Sequence, residues 1–316
     1  MGNLTFFTEF FLVDISSSRE LQIFQGLLFL LIYLGAMAGN ILTITAIVTD
    51  PHLHSPMYYF ISNLSFIDLC CISVSVPKLI VNSLTDSKSI SLKECAAQIF
   101  LYILFASIEL ALLVVMSYDR YVAICHPLYY GLTITPRLCI QATGGSWGSG
   151  LVYSTIHTSN LFRLPFTRSN VINQYLCDIP QIMRISSSYV QFSESVILAI
   201  SACIVLVFIS FLVMSYSNIF STVLKIHSVE ARNKSLSTCT PQLVILLLFI
   251  ISGMIAVLGP IANEASLKNL LTAIFYIMVP PFMNPIIYSL RNKEINTAIG
   301  RMFKRCFKFP SRHFLE

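Results

Sequence analysis

Four charged side chains stand inside or at the edge of long apolar runs, and they are the first candidates for chemistry. Asp68 and Glu109 each lie in the middle of a run, and Asp119-Arg120 closes the run that holds Glu109. An ionisable group in hydrocarbon is costly, so it faces protein or water and carries a functional hypothesis by default. Counting back from Arg120 at helical spacing puts Met116, Leu113, Glu109, Ala106 and Tyr102 on one face. Arg120, Glu109 and Tyr102 then look into a bundle together, with Asp68 and Asn284 as candidate neighbours of Glu109. Two carboxylates in one dry cluster cannot both stay ionised without a cation. They would share a proton, a water or a sodium ion, or form a purely structural polar cluster. Acid-dyad hydrolysis of the sugar type needs a wet substrate cleft, so no catalytic residue is expected.

The elements that hold these residues follow from composition. Of 316 residues, 55% are apolar or aromatic and 11% are charged, where a soluble domain carries about 25% charged. With mean hydropathy at +0.75, the solvent is lipid, which excludes a large extramembrane catalytic domain, disorder and a disulfide-stapled secreted scaffold. Charge-poor runs occupy 24–48, 57–84, 96–116, 138–161, 196–224, 243–258 and 270–290. Each is continuously apolar and too long for a barrel strand, so helices are the lipid-compatible solution. The expected fold is an all-α membrane protein, a bundle of seven transmembrane helices.

Basic residues orient it. Twelve lie on the side of the carboxyl-terminal tail and seven on the other, which puts the tail in the cytosol and the amino terminus outside. The chain is expected to be one domain, with an extracellular amino terminus over 1–23, the bundle over 24–290 and a cytosolic tail over 291–316. No cleavable signal peptide is expected, because Glu9 and Asp14 interrupt the start and no basic segment precedes an apolar core. The long exterior loop, 162–195, carries no second domain. Within 291–305, Ile295, Ala298, Ile299, Met302 and Phe303 alternate with basic residues, the pattern of a helix on a membrane surface. The seventh span contains Pro280, Pro281 and Pro285, which remove backbone donors and kink it, and Asn284 can satisfy a freed carbonyl.

Topology also sorts the cysteines and sequons. Of nine cysteines, Cys95 and Cys177 fall on the oxidising side outside the spans, where a disulfide lasts. Of the sequons at Asn3, Asn63 and Asn233, Asn3 alone lies where glycosylation occurs.

The strings themselves resemble the olfactory (odorant) receptors of the rhodopsin-like, class A, G-protein-coupled receptor family, over essentially the whole chain. Gly39-Asn40, LHSPMYYF at 53–60, SFIDLC at 65–70, MSYDRYVAICHPLYY at 116–130, SYSNI at 215–219, KSLSTC at 234–239 and PPFMNPIIYSLRN at 280–292 carry it. The resemblance implies that Asp119, Arg120 and Tyr121 form a microswitch, with Arg120 held by Asp119 at rest and released when the sixth helix swings out. It implies that Tyr216 and Tyr288 close behind that movement, that Lys234 begins the G-protein face, and that Asn284-Pro285 belong to the coupling segment. It further implies that Asp68 and Glu109 share a polar pocket that could hold sodium, with no other metal, and that Cys95 and Cys177 are the principal disulfide. The chain departs from the family's pattern at Thr167 and Ser187, where two further loop cysteines are common, at Gln242 in place of a His, at Phe249-Ile250-Ile251 in place of Phe-Tyr-Gly, and at Val257 in place of a Tyr.

Bundle-facing spacing and family position together line a ligand cavity with Tyr102, Ile103, Ala106, Ser107, Ile200, Ile204, Ile250, Gly253, Met254, Val257, Ile274 and Ile277. That set buries apolar area and offers Tyr102 and Ser107 as polar handles. The resemblance implies an odorant receptor of the plasma membrane that binds small, volatile, mostly apolar ligands. Its implied partners are a heterotrimeric stimulatory olfactory-type G protein that raises cyclic AMP and the lipid bilayer, without nucleic acid, cofactor or enzymatic activity. The same fold sensing a non-odour metabolite is the nearest alternative. A seven-helix ion or proton transporter is more remote, since the chain lacks repeated halves; a retinal protein would need a Lys in the seventh span.

Overall fold

The computed structural model describes residues 9–12, 18–85, 89–163, 171–172, 176–258 and 267–307. Seven long helices run through it: α1 (Arg19–Thr49), α2 (Pro56–Thr85), α3 (Leu92–Cys125), α5 (Pro136–Leu161), α7 (Ser188–Leu224), α8 (Val229–Leu258) and α9 (Leu267–Arg291). Short helices α4 (Tyr130–Thr133) and α6 (Ile179–Ile185) lie in connections, and α10 (Lys293–Phe307) follows the bundle.

Most of these helices outrun their apolar stretches because polar residues start or extend them beyond hydrocarbon. Ser91 and Glu94 make a reciprocal capping box for α3, with N–H···O distances of 3.1 and 3.0 Å. Thr135 caps α5 by accepting from the Leu138 N–H at 3.2 Å, with Pro136 in the first turn. Ser187 begins α7 well ahead of the apolar run at 196, so Glu194 lies in the helix, not in the loop expected over 162–195.

By length and apolarity, α1, α2, α3, α7 and Ser235–Ile255 of α8 are membrane-crossing helices, and α9 adds the shorter stretch Ile274–Ser289. Helix α5 is richer in Gly, Ser and Thr, and a small residue lets two helices approach closely. A Cβ on Gly150 would stand 2.9 Å from Ile108 and 3.0 Å from the Ser107 hydroxyl, so glycine sets the close approach of α5 to α3. Gly39 does the same for α1 and α9, where a Cβ would meet Pro285 at 2.9 Å.

Helix α3 is the axle, packed against α2, α5, α7 and α8. Its lower two-thirds sits in the main core with Leu64, Leu112, Tyr216, Ile245 and Tyr288. At the other end Cys95 and Cys177 are disulfide-bonded with Cα atoms 5.4 Å apart, as the sequence led us to expect.

Next to that disulfide lies a small sheet that the helical reading did not anticipate. It consists of β1 (Glu9–Leu12), β2 (Ser89–Ser91) and β3 (Val171–Ile172) in the order β2-β1-β3. At the opposite end, α10 buries Ile295 and Ala298 against the bundle. Arg301 fastens it by donating from Nε to Asp50 Oδ2 at 2.9 Å. Desolvation works against ionised Asp50, and Arg301 with the His52 N–H overrides it, so the carboxyl is held below its ordinary range.

Candidate functional site

The residues singled out by sequence gather at three depths along the bundle. At the α10 end, the Arg120 guanidinium donates to Asp119 Oδ2, from Nε at 2.8 Å and from a second nitrogen as well. Both side chains are buried. The other carboxylate oxygen accepts from the hydroxyl of Tyr130, in α4, at 2.8 Å. Tyr121 turns away from this group, with its hydroxyl 3.1 Å from His126 Nε2. Tyr216 lies within electrostatic reach of Arg120, and Tyr288 within reach of Tyr216, Asp68 and Glu109. Both tyrosine hydroxyls are buried without a protein partner. The Lys234 side chain lies outside the described residues.

One level deeper, Asn284 Nδ2 donates to both oxygens of Asp68, at 3.1 and 3.0 Å. Glu109 is 5% exposed and within electrostatic reach of Asp68. Its Oε1 and the Asn284 Oδ1 are both buried acceptors without a donor. Oxygen acceptors of this kind suit a proton donor or a hard cation.

A carbonyl freed by the prolines of α9 is satisfied differently from the sequence expectation. Pro285 lacks the N–H that would bond the carbonyl of Pro281, and Asn40 of α1, not Asn284, donates to that carbonyl at 2.9 Å. Asn284 is thereby left for Asp68. The reason is proximity: Gly39 brings α1 onto Pro285, and Asn40 follows it.

In the half nearer the disulfide, the expected cavity residues divide. Tyr102, Ile274 and Ile277 meet in one cluster, where the Tyr102 and Tyr276 rings stand edge to face at 6.2 Å. Ile103 belongs to the cluster beneath the sheet, and Ile250 packs on the main core. Ala106 is half-buried. The Ser107 hydroxyl donates to Leu104 O at 2.8 Å and borders Gly150, so it serves the α3–α5 contact. Ile200, Ile204 and Met254 are 58, 48 and 54% exposed, and Gly253 has open space around it. The side chain of Val257, and the residues Asn3 and Thr167, lie outside the described set.

Two polar groups escaped the sequence reading. Fully buried His157 of α5 meets Glu194 of α7 through Nδ1 and Oε1, and Asn160 Nδ2 donates to the other carboxylate oxygen at 2.7 Å. Ser193 in turn donates to Asn160 Oδ1 at 2.8 Å. The cap at Ser187 was the signal that would have moved Glu194 onto the helix beside His157. Ser201, His157 and Glu194 have the connectivity of a hydrolytic triad. However, the Ser201 hydroxyl is spent on Ile197 O at 2.8 Å and stands 3.5 Å from His157 Nε2.

The second group is Asp178, directly after the disulfide. Burial pushes its carboxyl up to about 6, against the Ile179 N–H and the Tyr276 hydroxyl at 3.5 Å. Among the described residues, no group of three or more His, Cys, Asp or Glu side chains could hold a metal.

The chain has counterparts among known proteins. The sequence profile described as "Olfactory receptor" matches residues 29–306. Human olfactory receptor 14I1 is 51% identical over 97% of this chain and 99% of its own length. Human olfactory receptors 14A16 and 14C36 are 45 and 46% identical, over 96 and 97% of this chain and 98% of each of theirs. Among solved structures, squid rhodopsin shares the fold with a TM-score of 0.73 at 19% identity, over 95% of this chain and 90% of its own.

Proposed function

Because this chain belongs to the olfactory receptor family of seven-helix G-protein-coupled receptors, we propose that it detects small, volatile, mostly apolar odorants and signals through a stimulatory olfactory-type G protein to raise cyclic AMP. A member of this family is a multi-pass plasma-membrane receptor, not an enzyme, and takes a small-molecule ligand and a G protein. In the proposed orientation the disulfide end is extracellular and the Arg120 end cytosolic, as the bias of basic residues supports.

The observation that carries the reading is the double hold on Asp119. Arg120 and Tyr130 occupy its two oxygens, so Arg120 is folded inward and unavailable. This pairing supports the reading of a receptor at rest. Activation breaks the pair as α8 moves, and Tyr216 and Tyr288, which have unpartnered hydroxyls, occupy the space Arg120 leaves. Leu128 and Leu132, 91 and 79% exposed at the same end, offer apolar knobs for a G-protein groove. The ligand binds among Tyr102, Ile103, Ala106, Ile250, Ile274 and Ile277; Ile200, Ile204 and Met254 are exposed and Ser107 borders Gly150 of α5, so the structure does not bring these expected residues to it. Small ligands bring few atoms, so micromolar affinity and a modest preference for the open state suffice.

The test is cyclic AMP in cells expressing the chain with the olfactory G protein, challenged with a panel of volatile apolar compounds while surface receptor is stained. A dose-dependent rise that disappears in Arg120→Ala at equal surface level is expected. A response unchanged by Arg120→Ala would sink the assignment of the switch.

A further inference from the structure

The disulfide fixes where the residue after it stands. Cys177 is bonded to Cys95 of α3, and its N–H donates to Gln98 Oε1 of the same helix at 3.2 Å. Gln98 and Tyr102 lie one turn apart on α3. Asp178 is thereby held between α3 and α9, within electrostatic reach of Tyr102, and its Oδ2 accepts from the Tyr276 hydroxyl of α9. The Tyr102 and Tyr276 rings stand edge to face at 6.2 Å.

Asp178 is poorly satisfied in this place. Its side chain makes no cap for α6. It finds the adjacent Ile179 N–H and the Tyr276 hydroxyl, the latter at the long limit of 3.5 Å. Among the described residues, no Lys, Arg or His pairs with it. A carboxylate drawn out of water is costly until a cation supplies the missing charge. Asp178 and Tyr102 are nevertheless half-buried, so part of each stays open to a small molecule. Beside them Leu176, Ile274 and Ile277 form an apolar wall with the two tyrosines.

One carboxylate, two electron-rich rings and an apolar wall suit an ammonium group on a short hydrocarbon. The carboxylate accepts its N–H bonds and pairs its charge, the rings attract a cation, and the wall covers the alkyl chain. An alcohol of the same length leaves Asp178 unpaired, and a carboxylic acid is repelled by it.

We propose that Asp178, Tyr102 and Tyr276 form an ammonium subsite at the disulfide end of the ligand cavity, and that this receptor takes small aliphatic amines in preference to alcohols and acids of the same length. The proposal rests on the reading that the ligand binds among these helices, and it adds one cationic end to an otherwise apolar ligand. An alkyl ammonium titrates near the lysine value of about 10.4, so the amine is charged at neutral pH.

The test is binding to purified full-length receptor, read by calorimetry. Butylamine, hexylamine and octylamine are compared with butanol, hexanol, octanol and hexanoic acid. At neutral pH the best amine should bind at least about tenfold more tightly than its alcohol, as expected of a hydrogen bond to a charged group. Asp178→Asn should bring each amine to parity with its alcohol. In the parent, amine affinity should fall about tenfold from about pH 7 to 5, as the Asp178 carboxyl, at about 6, takes up a proton, and alcohol affinity should stay constant. The groups facing Asp178 are Tyr102 of α3 and Tyr276 of α9, tyrosines that do not titrate in that range. Glu109 stands about two turns farther along α3.

No binding of any amine, equal affinity for amine and alcohol, or an amine preference that survives Asp178→Asn overturns the proposal. If Asp178→Asn cannot be purified, the parent decides: amine affinity that is constant between about pH 7 and 5 overturns the subsite, and a tenfold fall supports it. Cyclic AMP responses to the volatile panel are scored separately, so the subsite and the receptor reading can fail independently.

Discussion

The Tyr130 hydroxyl donates to Asp119 Oδ1 at 2.8 Å while Arg120 holds Oδ2 of the same carboxylate. A residue outside the long helices thus holds the carboxylate that pairs with Arg120. A hydrogen bond to a charged group contributes about 1.5–3 kcal/mol. Removing it in Tyr130→Phe should raise basal cyclic AMP about tenfold or more at equal surface expression, because the resting state loses the bond. A basal level equal to the parent's would show that the open state keeps the bond too.

Glu109 Oε1 and Asn284 Oδ1 face a buried cluster as acceptors without donors. If sodium supplies the missing charge, replacing Na⁺ by choline lowers the melting temperature of purified receptor, and Asp68→Asn or Glu109→Gln abolishes that dependence. We expect the sodium effect. Melting that ignores sodium would assign the site to a shared proton instead.

Removing one partner of the His157–Glu194 pair leaves the other buried and unpaired, at a cost of about 3–5 kcal/mol. Glu194→Leu should therefore lose most of its surface expression, and Glu194→Gln, which keeps a partner for His157, much less. The double variant His157→Leu/Glu194→Leu should recover part of the loss. Purely additive losses would mean that the two helices are not coupled through these side chains.

Burial raises the Asp178 carboxyl to about 6 from an ordinary 3.8. The folded receptor then binds this proton more tightly than the unfolded chain does. The resulting stability is complete below pH 3.8 and is lost as pH rises through about 6. The penalty at neutral pH is at most about 3 kcal/mol. Melting temperature should rise as pH falls from about 7 to 5, and Asp178→Asn should flatten that rise while melting higher at neutral pH. Identical pH profiles for parent and variant would place the sensitivity elsewhere.

The sequence by itself determined the solvent, the helices and the family. Seven charge-poor runs too long for strands leave helices as the way to satisfy backbone groups in lipid, and local strings such as MSYDRYVAIC need no partner to be recognised. Asp119 and Arg120 are adjacent in the chain, so their pairing was legible as well. The tertiary structure decided which distant polar atoms meet. Asn40 rather than Asn284 reached the carbonyl freed by Pro285, Glu194 reached His157, and Phe10 came to lie over Ile103's cluster. Hydropathy reports transfer from water one residue at a time, whereas a partner depends on the depth and rotation of two helices. Those are fixed by close approaches such as Gly39 on Pro285 and Gly150 on Ile108, which exist only once the chain has packed.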